Sequence, residues 1–315
     1  MNTNYDLVII GGGPAGVAAG VYAARKRLKT LLITESFGGQ SIESSGIENW
    51  IGTKNITGPD FAKILEEHLR IYAGDSVEIK TGERVLQVEV ELPLGSSTSK
   101  FLIKTQDDSY LARTVLITTG STRKKLEIPG AKEFENKGIT YCASCDGPLF
   151  AGQDVVVIGG GNAAFETVAQ LLAYCKSVTL LHRSENFRAD EITVEKVLRN
   201  PKMKAIKNLE ILEIKGDKFV EGIVYKDKIT NTETTLPVSG IFVEIGQIPN
   251  TDFVKDLVPL DEIGRVKLDA WSQKTSTPGI WAAGDCTNVL YHQNNIAAGD
   301  AVRALEDIYL YIHTK

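Results

Sequence analysis

The chain twice carries the same pattern: a run of aliphatic residues, a glycine-rich turn and an alanine-rich helical stretch. The first copy is the run 7–10 followed by Gly11-Gly12-Gly13-Pro14-Ala15-Gly16. The second is the run 155–158 followed by Gly159-Gly160-Gly161-Asn162-Ala163-Ala164. Strands buried in parallel sheets have such continuous apolar runs, and turns with this glycine spacing open helices that bind a dinucleotide pyrophosphate. The repeat therefore predicts an α/β chain with two nucleotide-binding domains.

Three glycines of the first turn have an expected role. Gly11 allows the tight turn, Gly13 lets a pyrophosphate approach the backbone, and Gly16 permits close packing of helix on strand. The next apolar run, 30–34, ends at Glu35, nineteen residues after Gly16. An acid at this distance is expected to bind a ribose hydroxyl.

The second turn is followed by basic residues instead of an acid. Ala164 replaces the third glycine, and the run 178–181 leads into His182 and Arg183, with Arg188 a few residues later. Arginine at this position suits a ribose 2'-phosphate. The alternative is that both arginines belong to an ordinary solvated loop.

A Cys-x-x-Cys motif, Cys142 to Cys145, lies between the two turns and is followed directly by Asp146. Such a pair can form a reactive disulfide, and the acid can exchange the proton that thiol chemistry requires. A zinc site is the alternative, but Cys175 and Cys286 are single and lie in other motifs, so no metal is predicted. Cys175 is expected to be a buried apolar residue.

Two further strands, 115–120 and 240–246, are interpreted as the crossings between domains. The fold class is then α/β with two Rossmann-like domains, the NAD(P)-binding domain inserted in the FAD-binding domain. The expected parts are 1–116 (FAD), 117–246 (NAD(P), with the cysteine pair) and 247–315 (FAD). The strand near Trp281 ends at Asp285, which is placed to hold a flavin ribityl chain, and a hairpin loop is expected at 93–100. Trp50, Trp271 and Trp281 are expected to be packing residues.

Composition narrows the class of partner. The formal charge is −5, which argues against nucleic acid or anionic membrane as the main partner, since either needs a basic surface. The amino terminus has no signal-peptide pattern and no segment reaches transmembrane length, so a cytoplasmic protein is expected.

Taken together, these motifs resemble the low-molecular-weight thioredoxin reductase family over almost the whole chain. The matching pieces are 11–16, Gly38-Gly39-Gln40, Glu48-Asn49-Trp50, Cys142 to Asp146, 159–164, Asn200-Pro201, Pro249-Asn250-Thr251, 282–285 and Gln293. Several of them are also similar to the reductase core of the alkyl hydroperoxide reductase flavoprotein. Because this chain starts at its flavin strand, without the amino-terminal thioredoxin-like folds of that flavoprotein, the electron acceptor is expected to be a separate protein.

The resemblance implies a homodimeric enzyme in which a nicotinamide reduces FAD, the flavin reduces a Cys142–Cys145 disulfide, and the dithiol reduces thioredoxin or a similar small protein. Cys145 is implied to face the flavin, Cys142 to attack the partner, and Asp146 to handle the proton. The inserted domain is implied to rotate about hinges near 115–120 and 244–249. The implied FAD residues are Gly11, Gly13, Pro14, Ala15, Gly16, Glu35, Gly39, Gln40, Asn49, Thr119, Gly120, Gly284, Asp285, His292, Gln293 and Asn294. The implied NAD(P) residues are Gly159, Gly161, Asn162, Ala163, Ala164, His182, Arg183, Arg188, Ile245 and Gly246.

Two positions depart from the family pattern. Ser184 stands where NADPH-dependent members have a second arginine, and His182 stands where the NADH-preferring hydroperoxide reductases have an acid. NADPH is favoured as donor, with NADH as the alternative. His292 stands where family members usually have Arg or Lys, so an unusual electron donor is a further alternative.

Two other functional hypotheses stand beside the NAD(P)H-dependent reductase. One is a flavin disulfide oxidoreductase with another donor or acceptor, such as ferredoxin, oxygen or a peroxiredoxin system; the intact second turn counts against it. The other is a flavin-binding redox sensor without turnover, which would be reduced once and would not cycle.

Overall fold

A computed structural model describes residues 4–44, 46–91 and 100–314. The loop expected at 93–100 lies, apart from Lys100, outside the described residues. The helices are α1 (Pro14–Arg25), α2 (Gly58–Ala73), α3 (Ala143–Asp146), α4 (Asn162–Leu171), α5 (Glu191–Leu198) and α6 (Asn294–Thr314), with 3-10 turns at Gly39–Glu43, Gly147–Phe150 and Asp252–Val254. The strands are β1 (Asn4–Gly12), β2 (Thr30–Phe37), β3 (Val77–Thr81), β4 (Val85–Val90), β5 (Phe101–Thr105), β6 (Ser109–Ile117), β7 (Ser121–Arg123), β8 (Ile139–Thr140), β9 (Asp154–Gly159), β10 (Ser177–Leu181), β11 (Met203–Ile206), β12 (Leu209–Gly216), β13 (Val220–Asp227), β14 (Glu233–Pro237), β15 (Gly240–Glu244), β16 (Gln247–Pro249), β17 (Leu268–Asp269), β18 (Lys274–Thr275) and β19 (Ile280–Ala282).

The chain folds into two compact units, Met1–Thr122 with Ile248–Lys315, and Arg123–Gln247. They are called the outer unit and the inserted unit below. The first crossing falls a few residues beyond the expected 116/117. Hydrogen bonds hold the segment after β6 in the outer unit: the Thr118 amide donates to Ile10 O at 2.9 Å, and the Thr119 hydroxyl donates to Asn250 O at 2.6 Å.

The outer unit is built on a sheet with the order β17-β18-β19-β6-β1-β2-β3, to which β5 and β4 add beyond β6. Strand β1 is parallel to both β2 and β6. Its side chains alternate between two apolar clusters: Leu7 and Ile9 pack with α1, α2 and α6, while Val8 and Ile10 pack toward β5 and the 254–266 region. Both faces of the strand are therefore buried, as its unbroken apolar run predicts.

The inserted unit repeats this plan on a smaller scale. Its five-stranded sheet has the order β11-β10-β9-β15-β8 with all neighbours parallel. Val155 and Val157 of β9 pack against α4, and Val156 and Ile158 pack on the side of the antiparallel sheet β12-β13-β14. The α/β class with an inserted nucleotide-binding domain, predicted from the sequence, is confirmed.

The tryptophans divide between core and surface. Trp281 is fully buried, its indole N–H donates to the Asp307 carboxylate at 2.8 Å, and its ring meets Tyr311 edge-on at 5.2 Å. Trp50 packs against Phe61. The expectation for Trp271 is wrong: it lies in the turn between β17 and β18 and is 88% exposed.

Replacing Trp281 by Phe is expected to lower the free energy of unfolding of the protein by about 2 kcal/mol, because Asp307 loses a buried donor. The midpoint of urea unfolding, followed by far-UV circular dichroism, measures the loss. Trp271→Phe is the matched control and should change the midpoint little. Equal effects of the two substitutions would contradict this assignment.

Candidate functional site

The first glycine turn is fixed by close backbone contacts at three of its four glycines, Gly11, Gly12 and Gly16. Gly11 has a φ of +118°, and a Cβ there would lie 2.4 Å from Thr118 O; a Cβ on Gly16 would lie 1.8 Å from Gly11 O. Gly13 differs, since the nearest atom to its Cβ position is the Cα of Gly39 at 3.8 Å. The turn thus leaves an open face at Gly13, beside the start of α1, which has Pro14 at its first position and no side-chain cap.

Three hydrogen bonds, called the amide network below, join polar side chains from distant segments of the outer unit. The Gln40 amide donates to Ser121 at 3.1 Å, the Ser41 hydroxyl donates to Asn294 at 2.9 Å, and the Asn49 amide donates to Gln293 at 3.2 Å. Glu35 is exposed near the end of β2. The structure therefore pairs the sequence-predicted residues Asn49 and Gln293, and it joins Asn294 to Ser41, the neighbour of Gln40.

The end of β19 lies close to the starts of two helices. A Cβ on Gly284, whose φ is +79°, would lie 3.3 Å from Ala297 Cβ on α6 and 3.5 Å from Ala15 Cβ on α1. Asp285 follows at this junction and is half-buried. Thr119 and Gly120 lie at the end of the neighbouring strand β6, where both bond to Asn250.

His292 carries a buried nitrogen, Nε2, that has no hydrogen-bond partner among the described residues. The same is true of Asp300 Oδ2 on α6. Burial raises the pKa of Asp300, against the opposing charges of Arg303 and His292. An unpaired buried polar atom is costly unless a bound group satisfies it. The open face at Gly13, the amide groups of the network and this unpaired nitrogen are features that suit a bound flavin.

The second glycine turn repeats the geometry in the inserted unit. A Cβ on Gly159 would lie 2.5 Å from Glu244 O and 2.8 Å from the Ala164 Cβ, whereas a Cβ on Gly161 would meet open space. Ala164 is fully buried and Ala163 is exposed at the start of α4, which has no side-chain cap. The Asn162 side chain accepts a hydrogen bond from the Asp190 amide at 2.9 Å.

His182 is buried, and both of its ring nitrogens face backbone carbonyls. Nδ1 lies 3.0 Å from Gly159 O, and Nε2 lies 3.0 Å from Asn186 O. The Arg188 amide adds a bond to Gly160 O at 2.7 Å. The imidazole therefore ties the basic loop to the glycine turn, and its nitrogens do not point to solvent.

Four basic side chains surround this loop. Arg183 and Arg188, the residues predicted to bind a 2'-phosphate, are both exposed. Lys207 Nζ lies 4.7 Å from the centre of the Phe187 ring, and Lys228 Nζ donates to Arg183 O at 3.1 Å. Sequence reasoning missed both lysines because they reach the loop from the ends of β11 and β13, which are distant in the chain.

Sequence reasoning also missed Glu244, an acid that ends the apolar strand β15. The Thr167 hydroxyl on α4 donates to its carboxylate at 2.7 Å. Burial raises the pKa of Glu244 to about 7, although the hydroxyl opposes the shift. Next to it, Gly246 has a φ of +109° and accepts a bond from the Lys124 amide, and Ile245 packs on the core of the inserted unit.

Cys142 and Cys145 are joined by a disulfide around the one-turn helix α3. The Cys145 amide donates to Cys142 Sγ at 3.2 Å, and both residues are half-buried. The Thr140 hydroxyl donates to the Asp146 carboxylate. The disulfide, a bond to one sulfur and an oriented acid thus meet within seven residues, 140–146.

The other two cysteines are buried thiols. Cys175 is 1% exposed and burial raises its pKa, while burial raises the pKa of Cys286 to about 11. The expectation that Cys175 packs as an apolar residue is confirmed. Within the described ranges, no three His, Cys, Asp or Glu residues lie close enough to hold a metal ion. The same ranges contain no helix that is both long and apolar enough to cross a membrane.

Alanine substitutions at Gly16 and Gly13 are expected to have different effects. Gly16→Ala should destabilise the protein by about 3 kcal/mol or more, because its methyl group collides with a backbone oxygen. Gly13→Ala should leave the thermal midpoint of the apoprotein near that of wild type but reduce the flavin retained after reconstitution. Full flavin content in Gly13→Ala would contradict a pyrophosphate at the open face.

Glu244→Gln is expected to stabilise the protein above pH 7 and to have no effect below about pH 4. The wild-type carboxyl keeps its proton up to about pH 7 in the folded state but loses it near its ordinary value, 4.5, when unfolded. Wild-type stability therefore falls as pH rises between these values, whereas Gln does not titrate. We expect a gain of about 1 to 3 kcal/mol at pH 8, measured by denaturant unfolding at several pH values. An equal effect at both ends of the pH range would refute the assignment.

Comparison with known proteins gives a consistent family. The sequence profile of the pyridine nucleotide-disulphide oxidoreductases matches residues 5–301. A protein named NADH dehydrogenase from Bacillus subtilis is 36% identical over 309 residues, 98% of this chain and 58% of that protein. One component of the alkyl hydroperoxide reductase of Pseudomonas putida is 38% identical over 307 residues, 95% of this chain and 56% of that protein.

A solved structure matches this chain over the full length of both proteins. The crystal structure of thioredoxin reductase from Streptococcus pyogenes superposes with a TM-score of 0.89 at 34% identity, over 100% of both chains. In contrast, the present chain spans less than two thirds of the two sequence relatives. The profile match and these identities show that the chain belongs to the pyridine nucleotide-disulphide oxidoreductase family.

Proposed function

We propose that this protein is a flavin-dependent disulfide reductase that passes electrons from NAD(P)H through FAD and the Cys142–Cys145 disulfide to thioredoxin or a thioredoxin-like protein. The observation that carries the proposal is the disulfide, with Asp146 beside it, in the same unit as one nucleotide turn. The outer unit holds a second such turn, so the chain has one nucleotide site for a donor and one for a flavin. The family supports the pairing of a pyridine nucleotide with a redox disulfide.

The outer unit is the proposed FAD site. Gly13 leaves room for the pyrophosphate, Glu35 lies where a ribose hydroxyl is expected, and Asp285 is assigned to the ribityl chain. The network of Gln40, Asn49 and their partners would hold the flavin ring with its amide groups. When bound, FAD supplies the two-electron relay between nicotinamide and disulfide.

The surroundings of the disulfide suit thiol exchange. The Cys145 amide that donates to Cys142 Sγ stabilises a thiolate there. Cys142 is therefore the proposed nucleophile toward the partner disulfide, and Cys145 is the sulfur that faces the flavin. Asp146, held by the Thr140 hydroxyl, is the proposed group that gives and takes the thiol proton.

NADPH is the proposed donor. Arg183, Arg188, Lys207 and Lys228 concentrate positive charge around the loop after β10, where the adenosine ribose binds in this fold. The two lysines supply positive charge in place of the second arginine, which is Ser184 in this chain. His182 supports the loop through its backbone bonds.

The acceptor and the assembly follow from the resemblance. The Streptococcus pyogenes structure, which matches over the full length of both chains, is named a thioredoxin reductase, and this supports a thioredoxin-like acceptor. A homodimer is proposed on the same ground, and exposed Ile71 and Tyr72 on α2 give it an apolar surface to bury. Location in the cytoplasm stays a prediction from the sequence.

Anaerobic titration of the flavin-loaded protein with NADPH and with NADH tests the proposal. We expect fast, saturable bleaching by NADPH and slower bleaching by NADH. Wild type should consume one further equivalent of donor compared with Cys142→Ser or Cys145→Ser, because only wild type has a disulfide to reduce. Wild type should then reduce thioredoxin in repeated cycles, whereas neither cysteine variant should.

Cys175→Ser is the matched control, because it removes a buried thiol outside the disulfide, and it should titrate like wild type. No bleaching by either nucleotide, with flavin bound and the disulfide intact, would reject the nicotinamide donor. A single round of reduction without cycling would indicate a redox sensor instead of an enzyme.

A further inference from the structure

Glu244 occupies a position that the proposed mechanism leaves without a role. It is the last residue of β15 and pairs in register with Gly159, the first glycine of the nucleotide turn. Its backbone oxygen is the atom that a Cβ on Gly159 would strike. The backbone of Glu244 therefore lies directly beside the turn, at the carboxyl edge of the sheet, and its carboxyl group faces α4, where Thr167 binds it.

The order of the strands indicates which half of a bound dinucleotide lies over this edge of the sheet. The glycine turn between β9 and α4 holds the pyrophosphate, and the end of β10 reads the adenosine ribose. Strand β15 lies on the opposite side of β9 from β10. The other half of a dinucleotide, which carries the nicotinamide, therefore extends over the end of β15.

Among the residues that the structure describes, three side chains act on the Glu244 carboxyl. The Thr167 hydroxyl donates to it from α4. Arg123, at the end of β7, favours the ionised form, and Glu166 on α4 opposes it. The neighbouring strands β8 and β9 end in Thr140 and Gly159, which do not titrate near neutral pH. Lys124 approaches the same segment through its bond to Gly246 O.

The two redox forms of nicotinamide differ in charge at this place, because the oxidised ring is a cation and the reduced ring is neutral. We propose that Glu244 sets the preference of the site between oxidised and reduced nicotinamide, by attracting the cationic ring when its carboxyl is ionised. This inference rests on the proposed nicotinamide donor. Partial burial strengthens the attraction, since the charge is only weakly screened by water.

The test is the ratio of two dissociation constants on the flavin-loaded protein. One ligand is NADP+, with a cationic ring; the other is 1,4,5,6-tetrahydro-NADP, whose ring is neutral and cannot donate hydride. Both carry the same 2'-phosphate, so its titration and that of the basic loop cancel in the ratio. Calorimetry at pH 6 and pH 8 spans the titration of Glu244, whose pKa burial raises to about 7.

In wild type, the dissociation constant of NADP+ relative to the neutral analogue should fall about tenfold from pH 6 to pH 8. Glu244→Gln should remove this pH dependence and keep the wild-type pH 6 ratio. Thr167→Val removes the donor to the carboxylate, so the midpoint of the change should move to higher pH. Glu221→Gln, an exposed acid on β13, is the matched control and should behave as wild type.

A pH dependence that persists in Glu244→Gln would overturn the inference and leave the proposed function intact. Failure of wild type to bind either ligand, with flavin in place, would overturn both. Flavin content and circular dichroism verify that the variants are folded, and Thr167→Val provides an independent test if Glu244→Gln folds poorly.

Discussion

The close approach of a glycine to a carbonyl oxygen at the end of the neighbouring strand is the contact on which both glycine turns, the proposed nucleotide sites, depend. Gly11 lies against Thr118 O, and Gly159 lies against Glu244 O. In each unit this contact fixes the glycine turn against the end of the adjacent parallel strand. The third position of each turn packs back on the first, through Gly16 in one unit and Ala164 in the other. The middle glycine is thereby left with an open face, where a phosphate group can approach the backbone.

This shared arrangement also determines where each chemical group lies. Glu244 ends β15, the strand next to β9 and its turn, while Asp285 follows β19, which is separated from β1 by β6 and reaches the first turn through Gly284 and Ala15. The cysteine pair follows β8, the edge strand of the inserted sheet. The positions of acids and sulfur atoms are thus consequences of strand order, not of separate loops built for each purpose.

The parts of the fold that the sequence predicts are those with local signals. The runs 7–10 and 155–158 are buried on both faces, and their apolar pattern is visible without any structure. The antiparallel sheet β12-β13-β14 has no comparable signal, because its strands mix polar and apolar residues and its pairing depends on contacts across the chain. For the same reason the sequence does not point to Lys207 and Lys228. Trp271 shows the converse error, since a large apolar residue is expected to pack but here lies in an exposed turn.

The position of the His182 ring between two backbone carbonyls, those of Gly159 and Asn186, separates the shape of the basic loop from its charge. The imidazole and the Arg188 amide hold the loop through backbone atoms, and the guanidinium groups of Arg183 and Arg188 take no part in that framework. Substitutions at the two arginines can therefore accumulate over evolutionary time, or be introduced by an engineer, without remodelling the loop. The charge of this loop is an adjustable property of its side chains, carried on a backbone that stays constant.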